Sequence, residues 1–309
     1  MEQLSYFLAA TVRMATPLLI AALGLAIAER AGMMNIGGEG VMLMGAFAAY
    51  AATRLLGSYW FGVLFAIVTS VMLITVFAVV TITYKAEQVV VGAAINMLGA
   101  GITSVVYRKL FYRAGEGISG MMVESFPSIP IPGLSRIPVL GPMLFDHNVI
   151  VYFGFFLVFV LWFIMRHTSL GLKIIACGEH PEAADSLGIH VIRVRYLTTL
   201  FSGVLMGISG AYLSIAQTNA FGEDMTGGKG YIALAVVILG KWSPLGILAG
   251  SAIFGGANAL QMTVQNLGVG LPNNIIMMIP YVVTVLAVLA VSKKRVGAPS
   301  AQGVPYEKS

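Results

Sequence analysis

Five side-chain amides, Asn35, Asn96, Gln217, Asn258 and Gln261, and one carboxylate, Glu39, stand inside or at the edge of long apolar runs. Amides donate and accept hydrogen bonds without carrying charge. In apolar surroundings they are costly unless paired, so each must face another helix or an aqueous path. Two readings are open for each: a hydrogen bond that ties helices together, or a contact to a polar, uncharged solute. Glu39 opens a helix, where the dipole favours a carboxylate. Its second reading is a place on a solute pathway.

Covalent chemistry has little to work with. No G-x-S-x-G elbow and no H-E-x-x-H pair is present. The nearest approach to a phosphate-binding loop runs from Gly222 to Gly230. There Lys229 follows Gly228, but Glu stands at 223 and Gly230 takes the place of the required Ser or Thr. His147, His167, His180 and His190 all lie in or beside polar stretches, which leaves no histidine proton relay. The single cysteine, Cys177, excludes an intrachain disulfide, and no Cys/His set has zinc spacing. Ion-coupled carriers place titratable groups within their spans. Here the spans are almost free of them, which argues against an ion-coupled carrier and for energy that enters through a partner subunit.

The elements that hold these groups are membrane spans. Of 309 residues, 58% are hydrophobic and 10% charged, with a mean hydropathy of +0.88. Soluble domains carry about 25% charged residues, so this chain cannot cover a water-facing surface. An ordinary soluble enzyme, a disordered chain and a nucleic-acid module are excluded. The net charge of +5 reads as basic residues kept on the cytoplasmic side.

Tyr6 to Ala28 lacks the basic start of a signal peptide and exceeds its apolar core, so it is a retained helix. A glycine-rich insert, Ala31 to Gly40, separates it from Val41 to Leu56. Trp60 to Tyr84 follows, with aromatics at both ends as at a membrane interface. Val89 to Tyr107 is next. Residues 108–147, rich in proline, read as an ordered extracytoplasmic loop. Asn148 to Met165 and Tyr196 to Ala216 are spans that flank the most hydrophilic stretch, 166–195. Tyr231 to Gly240 is too short to cross about 30 Å of hydrocarbon, and is either a half-helix or the end of a span that starts within the preceding loop. Leu245 to Val264 and Pro272 to Val291 complete the set, and Lys293, Lys294 and Arg295 stop the last. Gly203 with Gly207, and Gly246 with Gly250, have the spacing of close helix packing. The expected fold is all-α: a polytopic integral membrane protein of roughly eight to ten spans, some short or broken. Residues 1–295 form one transmembrane domain, and 296–309 a flexible cytoplasmic tail. Basic clusters place the 166–195 loop and the tail in the cytoplasm, and back-counting leaves the N-terminus outside.

Within that loop, Pro181 suits a first helical turn, Glu182 and Asp185 favour the same end, and Gly188 closes the helix. Ala183, Ala184 and Leu187 offer a small apolar face, fit either for docking on another protein or for stabilising the loop itself.

The loop resembles that of permease subunits of binding-protein-dependent ABC importers, in the group serving branched-chain amino acids, simple sugars and nucleosides. Thr168, Gly171, Ala176, Gly178, Pro181, Ala183, Ala184, Gly188 and Ile189 stand at the pattern's positions. His180 stands where Asn is common. Gly32 to Gly45 resembles the N-[IL]-G-x-E-G block of the nucleoside-type branch, and Gly228 to Gly246 a third block of the family. The three occur in order over nearly the whole chain. The resemblance implies a type II-like permease fold. It implies that ATP and Mg are bound by a separate ATP-binding cassette subunit, with no cofactor on this chain. It also implies a second, non-identical permease and a substrate-binding lipoprotein or periplasmic protein, in the bacterial cytoplasmic membrane. Nucleosides are the implied cargo, with simple sugars or branched-chain amino acids as the alternative. Gly178, Glu179, Pro181, Ala183, Ala184, Leu187 and Gly188 become the ATPase-coupling element. An ion-coupled carrier and a membrane-embedded enzyme are the competing classes; the first needs a titratable group within the membrane and the second an acid, base or metal constellation.

Overall fold

The computed structural model describes residues 2–111, 122–133, 135, 137, 140–267, 272–291 and 297–307. The basic stop at Lys293, Lys294 and Arg295 lies outside them, as do Arg113 and Pro138. Among the described residues six helices are long and apolar enough to cross a membrane alone.

Helix α1 (Glu2–Arg30) forms the axis of the bundle. Its most apolar window is 78% buried, because it is hydrophobic on all sides and a helix of that kind belongs inside. Helix α2 (Gly38–Leu56) is also interior, and starts three residues earlier than its apolar run because Gly38 and Glu39 already pack. Helix α3 (Tyr59–Ala78) continues through a π-helical turn at Val79–Thr83, and α4 (Gln88–Leu110) returns beside it. Strand β1 (Ser128–Pro130) pairs antiparallel with β2 (Asp146–Asn148), with the short helix α5 (Leu140–Leu144) between them. Helix α6 (Val149–His167) then spans, with the Asn148 side chain capping its first turn at Val151 N, 3.2 Å away.

The hydrophilic stretch holds two helices where one is expected: α7 (Ser169–Glu179) and α8 (Pro181–Ser186). Helix α9 (Val191–Ala211) ends in a second π-helical segment, Tyr212–Gln217. The expected half-helix is α10 (Lys229–Leu239), 11 residues long. Helix α11 (Pro244–Asn266) follows, and the final pass is split into α12 (Asn273–Met277) and α13 (Ile279–Val291), with Pro280 in the first turn of α13. Helix α2, the short α10 and the split pair α12 with α13 lie beside these six among the described residues.

Glycine brings the interior helices together. A Cβ on Gly207 would meet the Ala66 carbonyl oxygen of α3 at 2.7 Å, and one on Gly99 the Gly40 oxygen of α2 at 2.6 Å. Such approaches replace the hydrophobic drive that lipid cannot supply. The outer faces of α3, α4 and α6 carry exposed Trp60, Met72, Val90, Met97, Phe156 and Phe159, a surface suited to lipid.

The passes define two ends. At one lie α7, α8, the links 31–37, 84–87 and 240–243, and residues 297–307. At the other, Phe126 packs on Tyr59 with ring centroids 4.3 Å apart, and Arg108 pairs with Glu223 at 2.6 Å. The tail, expected to be flexible, is seated by backbone hydrogen bonds: Ala301 N donates to Gly178 O (2.8 Å) and Gly303 N to Gly32 O (3.0 Å). Arg195 Nη1 donates to Val304 O (2.8 Å).

Candidate translocation path and coupling surface

Asn35, Glu39 and Asn96 converge where α2 begins. Asn35 Oδ1 accepts from Gly37 N at 2.9 Å, turning the chain into the helix. Asn96 Oδ1 accepts from Gly40 N (2.8 Å), while its Nδ2 donates to Ile36 O (3.0 Å) and to the Tyr231 hydroxyl (2.7 Å). Glu39 does more than complement its own helix. Its two carboxylate oxygens accept from Gly228 N (2.8 Å) and Gly230 N (2.6 Å), the free amides at the start of α10. The sequences that meet here are 189 residues apart. A carboxylate from the first turn of α2 thus caps the start of α10.

Asn258 and Gln261 line a cavity of about 410 Å³ between α10, α11 and the α12–α13 break, together with Lys229, Tyr231 and Phe254. Lys229 Nζ donates to Thr226 O at 3.2 Å and feels the Glu39 carboxylate nearby, which offsets its charge. Asn258 spends its Nδ2 on Phe254 O (3.0 Å), so its oxygen remains to accept. Gln217 is elsewhere. It lines a second cavity of about 600 Å³ at the far end, with Arg13, Met14 and Asn266.

The six expected pathway residues therefore divide. Asn35, Glu39 and Asn96 build the joint of α2 with α10, Asn258 and Gln261 line the inner cavity, and Gln217 lines the outer one. Sequence reasoning missed Tyr231 and Lys229 as cavity residues. The signal was the polar side chain on either side of Gly230 at the head of an 11-residue helix. Replacing Gln261 with Leu should raise the solute concentration for half-maximal uptake by about fivefold, since a buried hydrogen-bond partner contributes about 1 kcal/mol. Expression and insertion should stay normal. Uptake measured over a range of solute concentrations checks this.

The residues expected to couple to an ATPase lie on α7, on α8 and directly after α8. Gly178 presses on the backbone of Arg30 so closely that a Cβ would overlap its carbonyl oxygen. Glu179 accepts from Ser300 Oγ at 2.9 Å. Pro181 starts α8, and Gly188 leaves it at φ +82°, with open space beyond. The structure splits the expected apolar face. Ala184 is buried with Cys177 and Val191, whereas Ala183 and Leu187 point outward, Leu187 being 82% exposed. A six-residue helix buries only one side, so the remaining small residues are free to meet another protein. Among the described residues no group of three His, Cys, Asp or Glu side chains could hold a metal ion.

A polytopic helical bundle with a half-helix beside a cavity lined by Lys229, Asn258 and Gln261, and a pair of short helices presented at one end, has the build of a transport protein. The comparisons give the family. The one described as branched-chain amino acid transport system / permease component matches residues 7–288, and the chain belongs to it. The guanosine ABC transporter permease protein NupQ of Bacillus subtilis is 37% identical over 99% of this chain and 97% of its own. The nucleoside ABC transporter permease protein NupC of Lactococcus lactis is 34% identical over 95% and 94%. The putative glucose ABC transporter permease protein TsgC13 of Haloferax volcanii is 38% identical over 86% and 79%. No solved structure matches. The chain is the permease subunit of an ABC importer.

Proposed function

We propose that this permease carries nucleosides inward as one of two unlike permease subunits. The observation that carries the cargo is the lining of the inner cavity. Asn258 and Gln261 can read the hydrogen-bonding edge of a base, and the ring of Tyr231, 48% exposed, can stack on its face. A zwitterionic amino acid needs groups of both signs facing it, and the one charged side chain in this lining is Lys229, which already faces Glu39. The names of NupQ and NupC point the same way. A simple sugar is the second reading, favoured by the likeness to TsgC13.

In this reading the end bearing α7, α8 and the tail faces the cytoplasm of a bacterial inner membrane. A separate ABC ATPase binds ATP and Mg and grips Ala183, Leu187 and Gly188. A second permease completes the path, and a binding lipoprotein or periplasmic binding protein delivers the solute to the far end. The outward Ala183–Leu187 face supports the ATPase contact.

Two experiments test this. Deleting the gene in a host with no other nucleoside carrier should confer resistance to a toxic nucleoside analogue, and re-expression should restore sensitivity. Unchanged sensitivity would remove nucleosides as cargo. Gly188→Trp should cut ATP-dependent uptake about tenfold, within the range of coupling free energies between sites, with normal expression. The substitution places an indole in open space on the docking side at a left-handed φ of +82°. Normal uptake would overturn the coupling assignment.

A further inference from the structure

The link between α10 and α11 holds the most unusual backbone in the described chain. Lys241 and Trp242, neither of them glycine, both have φ +54°. Side-chain-bearing residues seldom adopt this region, and consecutive ones persist only when their surroundings hold them. Here the end of α1 does so. The Trp242 indole, 7% exposed, donates to the Glu29 carboxylate, 2% exposed, at 2.5 Å. The Arg30 guanidinium donates to the carbonyls of Lys241 (3.3 Å) and Trp242 (3.4 Å).

Arg30 also meets the coupling element, and Glu29 meets the tail that is bonded to it. The Arg30 backbone is the surface on which Gly178 rests. The tail closes the arrangement: Gln302 bonds Glu29, and its neighbour Ala301 donates to Gly178 O. Helix α10 is therefore held at both ends by a carboxylate, directly by Glu39 at its start and through Trp242 by Glu29 at its finish. Its flank, with Tyr231, Ile232 and Ala235, forms one wall of the inner cavity.

We infer that Glu29, Arg30 and Trp242 are positioning residues for transport: a joint that carries displacement of the α7–α8 element through the strained turn into α10 and the cavity wall. None of the three reaches the cavity, and none lies on the outward face of α8. The inference rests on the proposed ATPase coupling at that element.

The test uses the full complex of this chain with its ATPase and second permease, reconstituted in proteoliposomes, with uptake and ATP hydrolysis measured on the same sample. Trp242→Phe keeps the buried ring and removes the indole donor. It should leave assembly and basal hydrolysis within about twofold of wild type and lower solute moved per ATP about tenfold. Glu29→Gln retains a carbonyl acceptor for the indole, and should keep more than about half of the wild-type ratio. A second readout is the fluorescence of Trp242 in a W60F/W162F background, which should change on adding ATP. Full coupling in Trp242→Phe beside a coupled wild type would overturn the joint alone. Loss of uptake and hydrolysis in proportion, with the complex falling apart, would also overturn it, since that is the signature of a purely structural contact. A wild-type complex without ATP-dependent uptake would overturn the transport reading and this joint together.

Discussion

Gly178→Ala should reduce ATP-dependent uptake about a hundredfold, the upper range of coupling between separate sites, while the chain still inserts. The added methyl group overlaps the Arg30 carbonyl oxygen and lies 3.1 Å from Gly32 N. Backbone cannot yield as a flexible side chain does, so α7 must lift away from α1. Overpacking of this kind costs about 1–3 kcal/mol. It also carries Gly178 O away from Ala301 N, unseating the tail from the element it braces. The control is Gly101→Ala, where nothing stands within 4 Å of the new Cβ. That variant should transport like wild type. Uptake at matched membrane expression decides the matter, and equal uptake in the two variants would contradict the seating of α7.

Glu39→Gln should be nearly as damaging although it changes one atom. The carboxylate accepts from Gly228 N and Gly230 N with separate oxygens, 2.8 and 2.6 Å away. An amide offers one oxygen and turns its NH2 group toward the other N–H. A buried donor left facing a donor costs about 1–3 kcal/mol. The start of α10 should then fray, taking Lys229 and Tyr231 away from the cavity wall. Uptake should fall about tenfold or more, and the purified chain should unfold at a lower temperature. Asn258→Ala, which removes only a bond to the preceding turn of its own helix at Phe254 O, should leave that unfolding temperature near wild type.

The difference between these residues also shows what the sequence could reveal. The half-helix was legible because the apolar run after Tyr231 is too short to cross hydrocarbon. The helix at Pro181 was legible because proline, two acids and Gly188 mark its ends. Helix α7 was not. Ser169–Glu179 sits in the most hydrophilic stretch of the chain, and its seat is the close packing of Gly171 on the Met165 backbone and of Gly178 on Arg30. The pairing of Glu39 with Gly228 and Gly230 was beyond local patterns, because its partners lie on a different pass. Its charge suggested a pathway or a dipole, and the structure makes it the cap of a second helix, α10. The tail was unreadable for another reason. Residues 297–307 attach through backbone amides and carbonyls, which every sequence possesses and composition does not report. Among the amides, only tertiary packing separates Asn96, whose oxygen and nitrogen are both bonded, from Asn258, whose oxygen is left to accept from a solute.

The central claim is that this chain moves a neutral, base-bearing solute at the expense of ATP bound elsewhere. The direct measurement is uptake of a labelled nucleoside into vesicles holding this chain and the products of its neighbouring genes, with ribose and leucine as competitors. Uptake that requires ATP and is blocked by unlabelled nucleosides, but by neither competitor, is the predicted result. Uptake by this chain alone, driven by an ion gradient and indifferent to ATP, would contradict the account.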